Sequence, residues 1–121
     1  MDLVEKGHYY EQMAVDYLIS RGYRILERNY RYRRLEVDII AMEGPCLVFI
    51  EVKYRKTGGL QHPLEAVDMR KQQHIGRVAV QYLYSHGYGP EQLCRFDVVT
   101  VSDGGPILYK NAFSYQGTKG W

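Results

Sequence analysis

The sequence predicts one α/β domain, with a mixed central sheet of about five strands flanked by helices. Two segments, 4–21 and the stretch after Pro63 to about Ser85, repeat apolar residues at three- and four-residue spacing. Between and after them lie short runs rich in branched and aromatic residues, bounded by Gly, Pro and Asp. The order helix, three strands, helix, two strands describes helices packed on a sheet. At 121 residues and 45% hydrophobic content the chain suits a single domain with a real core, here residues 1–115, followed by a polar tail at 116–121 that is expected to lack order.

The first helix carries Val4, Gly7, Glu11, Ala14, Val15 and Leu18 on one stripe and stops at Arg21-Gly22. Glu11 is the anomaly, because an unpaired carboxylate is costly on a core-facing stripe. Either it reaches water at the edge of the stripe or it has a partner or metal.

Tyr23 to Arg33 reads as a strand near a sheet edge, anchored by Ile25 and Leu26. Residues 21–34 hold six arginines against the single acid Glu27, interleaved with Tyr23, Tyr30 and Tyr32. Arginine donates in pairs to phosphate and tyrosine offers a flat face to bases, so this run suits nucleic acid. It equally suits an edge strand kept from aggregating by charge. The net charge of +2 is too small to decide between them.

Leu35 to Ala41 and Cys46 to Val52 read as strands joined by the turn Met42-Glu-Gly-Pro45. The second has five branched or aromatic apolar residues and yet runs into Glu51 and Lys53. Alternation puts Glu51 and Lys53 on one face, and Glu36 and Asp38 likewise share a face on the preceding strand. As hairpin neighbours, the strands would bring Asp38 and Glu51 together at adjacent ends.

Residues 54–62 form a polar, glycine-containing loop, of the kind that is mobile until something binds. Pro63 fits the start of the second helix, whose broad face carries Val67, Lys71, His74, Ile75, Val78, Tyr82 and Leu83. His74 is read as a satisfied, part-buried histidine, since no second His or Cys stands at ligand spacing. His86-Gly-Tyr-Gly-Pro90 ends that helix. Cys94 to Val101 is a further central strand in which Arg95 pairs with Asp97, and a turn at 103–106 leads to a short strand at Ile107–Tyr109.

Cys46 and Cys94 are expected as buried, reduced thiols, which fits the cytoplasm. No apolar run is long enough to span a membrane. Glycine-rich phosphate loops and serine-histidine constellations are absent from the sequence.

The chemistry therefore centres on the two strand ends. Asp38, Glu51 and the Val52 carbonyl are hard oxygen ligands for Mg²⁺, which keeps water and substrate phosphate in the rest of its shell. Lys53, beside a metal-bound carboxylate, would orient the attacking water or neutralise charge growing on phosphorus. The reaction class is metal-assisted phosphodiester hydrolysis.

Asp38 followed by Glu51-Val-Lys53 resembles the PD-(D/E)-x-K nuclease superfamily. Gly7, Glu11, Gly22-Tyr23, Arg28-Asn29, Glu36-Val-Asp38-Ile-Ile-Ala, Phe49-Ile-Glu-Val-Lys53-x-Arg55, Lys71 and Arg95-Phe-Asp97-Val-Val resemble the bacterial YraN-type family over nearly the whole chain. The resemblance implies a restriction-endonuclease-like three-layer fold, similar to archaeal Holliday junction resolvases. It also implies a Mg²⁺- or Mn²⁺-dependent endonuclease acting on DNA that is branched or damaged. Glu11 matches the first-helix glutamate of those resolvases, which adds it to Asp38, Glu51 and Lys53 as a catalytic or metal-binding acid, and Gln72 or Gln73 would assist from the second helix. DNA would be held by Arg28, Arg31, Arg33, Arg34, Arg55, Lys56 and Lys71. Leu35 departs from the family pattern, which has glycine there, and a bulky side chain could narrow the backbone's approach to phosphate. The alternative is a non-catalytic nucleic-acid- or protein-binding module that keeps the fold. Whether two chains pair as a homodimer is left open by the sequence.

Overall fold

The computed structural model describes residues 1–56, 62 and 65–115. Helix α1 spans Leu3–Ser20, strands β1, β2 and β3 span Arg24–Tyr32, Leu35–Glu43 and Cys46–Tyr54, helix α2 spans Met69–Ser85, and strands β4 and β5 span Cys94–Ser102 and Gly105–Phe113. The strands lie in chain order, β1-β2-β3-β4-β5. Every neighbouring pair is antiparallel except β3 and β4, which run parallel. A parallel pair needs a crossover, and α2 supplies it. The sheet is therefore mixed, as expected.

The two faces of the sheet bury different residues. Ala14, Val15 and Leu18 of α1 pack on Ile39, Ala41, Val48, Ile50, Val99 and Val101. On the other face Ile75, Val78, Ala79 and Tyr82 of α2 pack on Val37, Ile40, Leu47, Phe49, Phe96 and Val98. The central strands β3 and β4 are covered twice, which is why their sequences are nearly continuous in apolar residues. Each fully buried Leu, Ile or Phe contributes about 1.5–3 kcal/mol.

Several boundaries differ from those expected. Helix α2 starts at Met69, later than the position of Pro63 suggested, because the Asp68 carboxylate accepts the Lys71 N–H at 2.9 Å and caps the helix there. Pro63, most of the predicted polar loop (residues 57–61) and the tail at 116–121 lie outside the described residues. Strand β5 runs on to Phe113 through Asn111, which takes φ 53° opposite a register shift in β4. Val4 and Gly7 are exposed, so the first two turns of α1 project beyond the sheet and its packing begins at Tyr10 and Glu11. Cys46 is half-buried and Cys94, the first residue of β4, is exposed; both thiols are free, and the expectation that both are buried is corrected for Cys94. Among the described residues no helix is long and apolar enough to cross a membrane.

Candidate active site

The β2–β3 ladder ends at the pair Ile39 and Ile50, and the next two residues facing each other are Asp38 and Glu51. Strand alternation breaks at this point. Val37 packs in the α2 core while Ile39, two residues on, packs in the α1 core. Residues two apart share a face in a regular strand, so β2 turns over between them. On the neighbouring strand Asn29 takes φ 51°, and both it and Arg28 reach the α1 side. Asp38 sits at the turnover, and its Oδ2 accepts the Val52 N–H at 2.8 Å. The side chain thus fills a place in the ladder that the backbone has vacated.

Glu51 lies on the α2 side and is 3% exposed. Its Oε2 is 3.4 Å from Nζ of Lys71 and 3.7 Å from Nζ of Lys53. Its Oε1 is buried and has no hydrogen-bond partner among the described residues. Asp38 approaches through the gap between the strands, within hydrogen-bonding reach of the Glu51 carboxyl. Burial, and after it the Glu51 charge, raise the Asp38 carboxyl to about 7, against the opposing pull of the Val52 N–H and Lys71. The Asp38 carboxyl thus keeps its proton closer to neutral pH than an ordinary aspartate does.

Glu11 faces the same side as Asp38 and is 8% exposed. With Glu36 and Asp38 it forms the acidic wall of a 300 Å³ pocket. Its Oε1 takes Nε of Arg28 at 3.2 Å and Nδ2 of Asn29 at 3.0 Å. Glu11 therefore borders the acid pair without joining it. Among the described residues no three His, Cys, Asp or Glu side chains gather closely enough to hold a metal by themselves.

The donor set still fits Mg²⁺ or Mn²⁺. Mg²⁺ is commonly held by one or two carboxylates and completes its shell with water and phosphate. Asp38 and Glu51 supply the two carboxylates, and the unpartnered Glu51 Oε1 is a buried oxygen awaiting a cation or a proton. The N–H and C=O of one residue point to the same side of a strand, so the Val52 carbonyl faces the gap into which its N–H points.

Asp97 shows the contrast. It is 0% exposed, and its Oδ1 accepts the Asn111 N–H at 2.9 Å and Nε of Arg95 at 2.8 Å. Its Oδ2 accepts the Tyr23 hydroxyl at 2.8 Å and Nη2 of Arg95 at 2.9 Å. Burial, with Asp97 beside it, pushes the Tyr23 phenol well above its ordinary range. Both acids bridge an irregular ladder, but Asp97 has every lone pair occupied and a cation in contact, so it is structural.

The basic residues divide as well. Arg28 is tied to Glu11, Arg31 to Glu36 at 3.0 Å and Arg55 to Glu65 at 3.8 Å. Arg33, at φ 58° in the β1–β2 turn, lies over the Tyr32 ring, and Arg34 and Lys56 are exposed. Lys71 alone among the predicted phosphate contacts is brought to the acid pair. Gln72 is buried and donates to the Val67 carbonyl at 3.0 Å, while Gln73 is exposed. Sequence reasoning missed Tyr10, Tyr54 and His8, which also line the pocket. The signal for Tyr54 was its position directly after Lys53; nothing local marks Tyr10.

The pattern of one family, described as uncharacterised protein family UPF0102, matches residues 10–101. A UPF0102 protein of Chlorobium phaeobacteroides strain BS1 is 52% identical over 100 residues, covering 83% of this chain and 76% of the relative. One from Caldicellulosiruptor bescii is 45% identical over 101 residues, covering 84% and 85%. One from Alkaliphilus oremlandii is 50% identical over 92 residues, covering 75% and 79%.

Proposed function

This chain belongs to the uncharacterised protein family UPF0102, the YraN-type family, and we propose that it is a Mg²⁺- or Mn²⁺-dependent endonuclease hydrolysing DNA phosphodiester bonds. The observation that carries this reading is the Asp38–Glu51 pair with its unpartnered buried oxygen and two lysines on the other oxygen. A purely structural acid is satisfied, as Asp97 is. A buried carboxylate oxygen left without a partner, in a pair whose Asp38 lines an open pocket, is arranged for a cation that arrives with substrate.

Asp38, Glu51 and the Val52 carbonyl would hold the ion, which when bound supplies Lewis-acid polarisation of a phosphoryl oxygen. The protein's own groups do the rest. Lys53 and Lys71 set two ammonium groups beside the site, where charge builds on the phosphoryl oxygens as water adds to phosphorus and the ester oxygen leaves with a proton. Lys53, 42% exposed, has the freedom to turn from Glu51 toward an attacking water. Glu11 and Arg28 anchor α1 to β1 and so fix the helix that walls the pocket. The restriction-endonuclease-like fold and kinship with junction resolvases belong to this same reading, which the α/β arrangement of two helices on a mixed sheet supports.

The test is a panel of duplex, single-stranded, flap and four-way-junction DNA incubated with Mg²⁺ or Mn²⁺, using wild type and Asp38→Ala. Metal-dependent products from wild type alone support the proposal. Binding without cleavage by wild type on every substrate favours instead the non-catalytic DNA-binding module.

A further inference from the structure

The pocket beside the acid pair has a second, aromatic wall with no part in metal binding. Tyr10 of α1 and Tyr54, the last residue of β3, stack with ring centroids 4.4 Å apart and planes 21° apart. Tyr9 meets Tyr10 edge-on at 5.5 Å and 69°. Tyr54 ends this row of rings, is 44% exposed and belongs to neither core, although Tyr10 packs against the α1 side of the sheet. Tyr54 thus stacks on Tyr10 and also lines the pocket, which gives the pocket a large aromatic surface.

The charges around it narrow what it would accept. Glu11, Glu36 and Asp38 line the same pocket, Arg28 and Arg31 already answer the first two, and no lysine or arginine is among the described lining residues, so the pocket itself offers a phosphate little to bind unless a divalent cation intervenes. A neutral ring system needs no such cation. Tyr54 shares the pocket with Asp38 and lies two residues beyond Val52, whose N–H the Asp38 carboxyl accepts, about 7 Å along the strand at roughly 3.3 Å per residue. Nucleotides stacked along one strand rise about 3.4 Å each, so the ring meets a base one to three positions from a phosphate at the acid pair. A base within a duplex has both faces covered by its neighbours and cannot use that ring; an unpaired base can.

We infer that Tyr54, braced by Tyr10, is a stacking subsite for an unpaired nucleobase flanking the scissile phosphate. The preferred substrate is then DNA with single-stranded character at the cut, such as an overhang, flap or open junction. This inference rests on the phosphodiesterase reading of the acid pair for its meaning in cleavage, but its binding readout is separate. Base–aromatic stacking is sequence-tolerant, so the subsite selects for unpaired structure rather than for a base identity.

The test uses the intact protein in Ca²⁺ with DNA carrying 2-aminopurine at successive overhang positions, for wild type, Tyr54→Phe, Tyr54→Leu and Tyr54→Thr, each first checked by its melting curve. Wild type and Tyr54→Phe should bind the overhang about tenfold tighter than a blunt duplex of equal length and quench the probe within three positions of the duplex edge. Tyr54→Leu and Tyr54→Thr should lose the quenching and the preference, with blunt-duplex affinity unchanged. Equal binding of overhang and blunt duplex by wild type, or a preference that survives in Tyr54→Leu or Tyr54→Thr, overturns the inference. Tyr54-dependent quenching without cleavage of any substrate in Mg²⁺ overturns only the phosphodiesterase reading, whereas cleavage by Tyr54→Leu with an unaltered choice of site overturns only the stacking subsite.

Discussion

Lys71 of α2 comes to 3.4 Å from the same Glu51 oxygen that Lys53, two residues along β3, reaches at 3.7 Å. One buried carboxylate thus joins two elements and gathers two ammonium groups. If both lysines act on charge developing at phosphorus, neither substitutes for the other, because they approach from different elements. Lys53→Met and Lys71→Met are each expected to lower metal-dependent cleavage by about a hundredfold, comparable to loss of one preorganised donor. Single-turnover rates with unchanged melting temperatures check this. A full rate in Lys71→Met would return that residue to ordinary helix-to-sheet anchoring.

Stability should depend on pH through Asp38 in the absence of divalent cation. Its carboxyl titrates at about 7 in the folded protein, against 3.8 for an unshifted aspartate. Between those values the folded state holds more protons than the unfolded chain, so stability falls as pH rises and the decline is complete above about 7. The loss is on the order of 2–4 kcal/mol. Asp38→Asn, which can still accept the Val52 N–H, should flatten the curve and leave the protein more stable at neutral pH. Urea unfolding across that pH range measures both effects, and parallel curves for wild type and variant would contradict the raised Asp38 carboxyl.

Divalent cation should displace that proton. Mg²⁺ or Mn²⁺ is expected to raise the melting temperature of wild type by binding only the folded state, and to release protons most strongly below pH 7. Asp38→Asn and Glu51→Gln should abolish both effects. Titration calorimetry in two buffers of different ionisation enthalpy counts the protons released. Glu11→Gln tests the third acid separately: Glu11 is expected to act through ion or water at the pocket, so the variant should show a reduced thermal shift.

Asp97 should behave in the opposite way. Arg95→Met leaves a buried carboxylate without its cation and is expected to cost about 3–5 kcal/mol of stability. The metal-induced gain in melting temperature should persist in whatever fraction folds. A variant as stable as wild type but inactive would place Asp97 in the chemistry instead.

The acid-x-lysine end of β3 was legible because strand alternation is a local rule, and Glu51 and Lys53 do share a face. The same rule failed at Asp38 in an instructive way. It brought Asp38 and Glu51 together at adjacent strand ends but kept Val37 and Ile39 on one face, whereas β2 turns over between them at Asp38. That turnover lies opposite Asn29 of the neighbouring strand, which takes φ 51° and which no window around Asp38 contains. The Arg-Tyr run predicted an edge strand, and β1 is one, but the pairing of Arg28 with Glu11 and Arg31 with Glu36 is tertiary and could not be read from composition. Tyr10 and Tyr54 meet across 44 positions of sequence (54 − 10). Periodicity places each on its element and says nothing of the other.

The hydrogen bond from the Val52 N–H to Asp38 makes one main-chain amide an observer of the site. Most amides in a sheet interior answer to a carbonyl, whose charge never changes. This one answers to the Asp38 carboxyl, so its proton and nitrogen chemical shifts should move with the protonation of that group and, on the proposed function, with added Mg²⁺. A labelled sample then reports the state of the acid pair directly, without substrate, turnover or substitution.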